Sequence, residues 1–186
     1  MNNQEANQPA QKRRHILEDL VLLVLILLTM IGIYISEVAT ANIDGYLYWM
    51  IMTIVFAISA MLINAIQSRQ KGISVKNILV EQSLHWFGTF LALGGVLLLV
   101  EAESLSHDNA ALVYLLILSL SAFLDGIRIG WRFSLIGNYL GLAAVIMAFV
   151  DNPMWILYLI AVLIIVAVYF IDRKRSTQPV STVQPD

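Results

Sequence analysis

A chain of 186 residues that is 59% apolar and only 13% charged, with a mean hydropathy of +0.78, has too little polar surface to cover a water-soluble globule, so a soluble enzyme is excluded. No cysteine is present, which removes disulfides, thiolate-held metal centres and thiol nucleophiles. The net charge of −2 conceals a strong segregation of cations from acids along the chain.

Residues 1–15 read as a disordered cytoplasmic tail, because MNNQEANQPAQ carries no apolar period, and they end in Lys12, Arg13, Arg14 and His15. From Ile16 the composition turns apolar, and residues 16–35 supply the roughly 20 residues needed to cross a hydrocarbon core of about 30 Å. Five further spans follow at 46–66, 80–100, 110–129, 133–150 and 153–171. Residues 172–186, beginning DRKRSTQP, read as a second cytoplasmic tail. A cleaved signal peptide is the competing reading of the first run. Its apolar stretch from Leu20 to Ile35 exceeds the usual 7–15 residues, and Glu18 and Asp19 stand where a signal has no acids. The expected fold is all-α: a polytopic membrane protein whose residues 16–171 form a compact bundle of six transmembrane helices.

Orientation follows from the cations, which are retained on the cytoplasmic side near span ends. Residues 12, 13 and 14 precede span one, residues 69, 71 and 76 lie between spans two and three, residues 128 and 132 between four and five, and residues 173, 174 and 175 after six. Together these are all eleven Lys and Arg. The other three connections hold Glu37, Asp44, Glu101, Glu103, Asp108 and Asp151 and no cation. Six spans with both termini cytoplasmic, in a bacterial-type inner membrane, is the layout that satisfies this pattern. Aromatic residues support it, since Trp and Tyr favour the headgroup boundary: Tyr34, Tyr46, Tyr48, Trp49 and Trp155 fall at outer ends, and Trp86, Trp131, Tyr169 and Phe170 at inner ends.

Two local matches in the same order suggest a tandem helical-hairpin repeat of spans two-three and four-five. Ser59–Leu62 with Asn64–Gln67 resembles Ser121–Leu124 with Asp125–Arg128, and GTFLALGGV from Gly88 aligns with GNYLGLAAV from Gly137. Chance matching between Leu- and Ala-rich strings is an equally good account.

Close approach of helices in lipid needs small residues. Gly137 and Gly141, continued by Ala144, form such a stripe on span five, and Gly88, Ala92 and Gly95 form one on span three. All are expected to pack against neighbouring helices within the chain. A homodimer face is the alternative.

Ionisable groups inside spans are costly and therefore informative. Glu81 and His85 stand four apart near the inner end of span three, and Asp125 lies near the inner end of span four. One reading pairs Glu81 and Asp125 with Arg128 or His85, while Arg128 and Arg132 reach lipid phosphates. The sharper reading makes Glu81, His85 and Asp125 a proton- or cation-handling cluster, since histidine exchanges protons near neutral pH. Asn64 and Asn138 are candidates for a polar pathway. A metal site is not expected, because one His with two carboxylates lacks the two-His spacing of familiar sites.

No phosphate-binding loop, zinc-protease helix or nucleophile-elbow string occurs, and no arginine ladder or potassium-filter loop is found. The expected function is that of a non-enzymatic integral inner-membrane protein acting as an accessory or assembly subunit. A small transporter or channel for protons or a cation, using Glu81, His85 and Asp125, is the alternative. The expected partners are the lipid bilayer and a membrane-protein partner or a second copy of the chain; no cofactor and no nucleic acid is expected.

Overall fold

The computed structural model of the chain describes residues 19–35, 45–71 and 74–176. Among these the secondary structure is helical throughout: α1 (Asp19–Ile35), α2 (Gly45–Lys71), α3 (Val75–Glu101), α4 (His107–Ile129), α5 (Trp131–Phe149) and α6 (Met154–Ser176). Helices are what an apolar solvent permits, since every backbone N–H and C=O must find its partner inside the segment. Five of the six, α2 to α6, are long and apolar enough to cross a membrane, and α1 is a shorter apolar helix. The tails 1–15 and 177–186, the segment 16–18 of the first expected span, and the acids Glu37 and Asp44 lie outside the described residues.

Observed ends differ from the expected ones chiefly where polar residues continue the helix past the apolar run. α2 extends to Lys71, α3 begins at Val75, and α6 continues through Asp172–Arg175 to Ser176. At about 1.5 Å per residue, the 27 residues of α3 reach roughly 40 Å, more than the hydrocarbon core alone requires. Between α3 and α4 the chain turns tightly: the N–H groups of Ala102, Ser104 and Leu105 donate to Leu98 and Leu99 carbonyls, Glu103 takes φ 54°, and Ser106 caps α4 by accepting from the Asn109 N–H.

Register follows from side-chain bonds. Gln67 of α2 donates to the Ile129 carbonyl of α4 over 2.8 Å, and Asn64 donates to Gln82 of α3 over 3.1 Å, so α2 and α4 run parallel with α3 antiparallel to both. Tyr48 of α2 donates to the Leu28 carbonyl of α1. Arg132 and Tyr139 of α5 reach Asp19 and Met30 of α1 respectively, which sets α1 parallel to α5. This gathers Arg69, Lys76, Arg128, Arg132 and Arg173 at one end of the bundle, the basic end, and Glu101, Glu103 and Asp151 at the other.

The closest helix pair is α4 with α5, joined at Gly130, whose φ of 152° is one that residues with a Cβ rarely adopt. A Cβ on Gly137 would lie 2.4 Å from the Phe123 backbone nitrogen, and one on Gly126 would lie 2.1 Å from that of Ser134. Gly141 faces the Ser119 Oγ at 2.6 Å in the same sense. Hydroxyls exploit the short distance: Ser119 donates to the Gly137 carbonyl at 2.9 Å and Ser134 to that of Phe123 at 3.3 Å. Gly137 and Gly141 thus lie directly against Phe123 and Ser119 of α4.

Span three departs from expectation. Around Gly88 and Gly95 a Cβ would meet nothing within 4 Å, and Gly88, Ala92 and Gly95 are all exposed. The two hairpins thus pack differently even though their glycine patterns match. Trp49 and Trp86, placed at the headgroup boundary by the sequence pattern, are instead buried in the core at 0% and 2% exposure; Tyr34, Trp155, Tyr169 and Phe170 do face outward.

Adding one methyl group measures the contrast. Gly137→Ala is expected to lower the unfolding free energy in detergent by about 1–3 kcal/mol through overpacking against Phe123, whereas Gly88→Ala leaves it unchanged or slightly higher. Equal losses at both positions would contradict this packing.

Candidate functional site

Three helices converge on one carboxylate. Asp125 sits about 10 Å along the axis from the middle of α4, inside a hydrocarbon half-thickness of about 15 Å, and is 1% exposed. Its Oδ2 accepts two bonds from α3, from Gln82 Nε2 and from Trp86 Nε1, each 2.9 Å long. Gln82 in turn accepts from Asn64 of α2. Oδ1 is buried and has no hydrogen-bond partner among the described residues. A lone carboxylate in such surroundings is costly, and three helices share the task of holding it.

A second polar layer lies one turn nearer the bilayer centre on the same α3–α4 seam. Ser121 and Thr89 hydroxyls are 2.8 Å apart, and His85 Nε2 lies 3.2 Å from the Ser121 carbonyl, an oxygen that accepts when Nε2 carries the proton. Thr89 also donates to the His85 carbonyl. Thr29 and Thr53 bond back to their own helices, to the Leu25 and Trp49 carbonyls.

The expected cluster of Glu81, His85 and Asp125 does not assemble. Glu81 is exposed on α3, and half-buried His85 turns to Ser121. The residues one position further along α3, Gln82 and Trp86, face Asp125 instead. Among the described residues no group of three His, Asp or Glu side chains is placed to hold a metal ion. Of the two asparagines, Asn64 joins the network and Asn138 faces outward.

The arginines also separate. Arg128 is exposed in the last turn of α4, where a cation complements the helix dipole. Arg132 is buried: its Nε lies 2.9 Å from Asp19 Oδ1 of α1, and its guanidinium stands 5.5 Å from the Trp131 ring centroid. Pairing between α1 and α5 was not foreseeable from spacing, because the two residues are remote in sequence.

Comparison with protein-family models, with curated proteins and with solved structures finds no match. The class is therefore set by architecture: the described residues are helical, and five of their helices are long and apolar enough to cross a membrane.

The carboxylate clamp makes a quantitative prediction. Trp86→Phe keeps an aromatic ring but deletes the N–H donor with the pyrrole half of the indole, and is expected to cost about 1–3 kcal/mol of stability. A double-mutant cycle with Asp125→Leu, which removes the acceptor, should give a coupling of about 0.5–2 kcal/mol by reversible unfolding in mixed micelles. Strict additivity would show that the two side chains do not interact.

Proposed function

We propose that this chain is a non-enzymatic, multi-pass protein of a bacterial-type inner membrane, with both termini cytoplasmic, and that it serves as an accessory or assembly subunit whose α3 receives a helix of a partner membrane protein. The observation that carries the reading is the divided outer face of α3. At 3.6 residues per turn, Glu81, Gly88, Ala92 and Gly95 fall within about 60° of arc, and all four are exposed. Beside them, Val80, Leu84, Phe87, Leu91 and Leu98 present large side chains suited to lipid tails.

Small residues outside the chain's own contacts allow a second backbone to come close, the condition for helix association in lipid. Glu81, about 10 Å from the middle of α3 on that same stripe, asks for a hydrogen-bond donor or cation on the incoming helix. A parallel pairing of two copies through this face would bring two Glu81 carboxylates together, so a different chain fits better than a second copy. The segregation of all eleven cations supports the cytoplasmic placement of both ends.

Affinity purification from native membranes after mild detergent extraction tests the reading. A companion membrane protein should be retained by the wild-type chain, lost with Gly88→Leu and Gly95→Leu, weakened by Glu81→Leu, and kept with the lipid-side control Leu91→Val. Retention by all variants, or oligomers of this chain alone, would contradict it.

A second reading, transport of protons or a cation, rests on Asp125 rather than on the three residues together, and what favours it is the buried Oδ1, which has no partner among the described residues. It requires reconstituted vesicles to show a potential-driven flux that Asp125→Asn abolishes. The accessory reading predicts no flux above that of protein-free vesicles.

A further inference from the structure

Asn138 lies two residues from the centre of α5, about 3 Å along the axis and so close to the bilayer middle. Its side chain is nevertheless exposed and makes no hydrogen bond to a described residue. We propose that α5 is the interface between two copies of this chain, paired in parallel with their Asn138 carboxamides hydrogen-bonded to each other.

Spacing defines the seam. Leu135, Asn138, Leu142, Val145 and Phe149 follow one another at alternating intervals of three and four residues, the a/d repeat of a left-handed helix pair, and fall within about 80° of arc. Leu135 is half-buried and the other four are exposed, Phe149 at 86%. Other faces of α5 are already taken: Gly137 and Gly141 meet α4, and Arg132 and Tyr139 reach α1. A crossing near +20°, common between membrane spans, keeps such a seam in contact along its length.

Chemistry selects the occupant. An acyl chain offers neither donor nor acceptor, so a carboxamide that faces lipid leaves its polar atoms unpaired, at a cost. A carboxamide carries two N–H donors and a carbonyl acceptor and is therefore its own complement. Two copies inserted in the same sense are related by a twofold axis along the bilayer normal, twofold pairing being the commonest symmetry of homo-oligomers. That axis sets each seam residue opposite itself at the same depth. Asn138 then meets Asn138, and Leu142 and Val145 pack against their counterparts. One Asn in an a/d seam also fixes the register, because a slip would leave both carboxamides unpaired. Glu81 on the α3 stripe would oppose a like charge in such a pair, whereas Asn138 is neutral, so the α5 pairing does not rest on the α3 reading.

The full chain, labelled at its C-terminus with donor or acceptor fluorophores and reconstituted at graded protein-to-lipid ratios, tests this by energy transfer. Wild type should dimerise. Asn138→Leu should weaken the dimer about tenfold, the scale of interhelical hydrogen bonds within a membrane, and Asn138→Gln should retain most of its strength. Circular dichroism confirms that each variant is folded. With iodine as oxidant in membranes, Leu142→Cys and Val145→Cys, each the sole cysteine of its chain, should form disulfide-linked dimers, and Leu159→Cys, exposed on α6, should not. Gly88→Leu and Gly95→Leu on α3 should leave self-association unchanged. A chain that stays monomeric at every ratio, an Asn138→Leu dimer as tight as wild type, or equal cross-linking at Leu159→Cys overturns the proposal. So does a companion polypeptide that copurifies with a monomeric wild-type chain and is lost with Asn138→Leu, which would assign the seam to another protein. A dimer recovered without a companion would support this pairing and contradict the α3 reading, so the two fail separately.

Discussion

In hydrocarbon, apolar side chains gain little by leaving lipid for protein, so helices hold together by close backbone approach and by polar groups that have no other partner. Everything distinctive in this bundle follows from that constraint. Gly126, Gly137 and Gly141 let α4 and α5 approach until serine hydroxyls bond across to facing carbonyls. With α4 held in this way, Asp125 on another of its faces is presented to α3, where Gln82 and Trp86 receive it. Asn64 extends the same layer to α2. Packing and polar pairing are therefore two consequences of one solvent.

The periphery is built differently. The candidate membrane spans of α3 and α6 are only 22% and 17% buried, against 50% for α4. α6 is tied to α5 by the short Val150–Pro153 link and by Tyr139, whose hydroxyl reaches the Leu157 carbonyl, and α1 is anchored by the Asp19–Arg132 pair. A core of α2, α4 and α5 with two sparsely covered outer helices suits a protein that offers surface to the membrane.

How much of this was legible in the sequence depends on which physical signal carried it. Apolar runs located α2 to α6 to within a few residues at most ends, because the length needed to cross hydrocarbon is a hard requirement; the larger errors fell at Lys71, Val75 and Ser176, where helices continue on polar residues. Rotational phase was not legible. A helix such as α3 is apolar around nearly its whole circumference, so hydropathy cannot say which side turns inward. Glu81 and His85 are the charged candidates by type, yet Gln82 and Trp86, one position further on, make the contact. The glycines teach the same lesson: Gly88 and Gly137 stand in matching local sequences, yet only Gly137 lies under a neighbour, a fact decided by tertiary contact with Phe123.

Because the chain contains no cysteine, single cysteines report the environment of α3 without background, and their labelling in native membranes addresses the central claim directly. Gly88→Cys, Ala92→Cys and Gly95→Cys should be shielded from a lipid-soluble maleimide, and Leu84→Cys and Leu91→Cys should label severalfold faster. Uniform labelling at all five positions would mean that lipid alone surrounds α3 and would contradict the account.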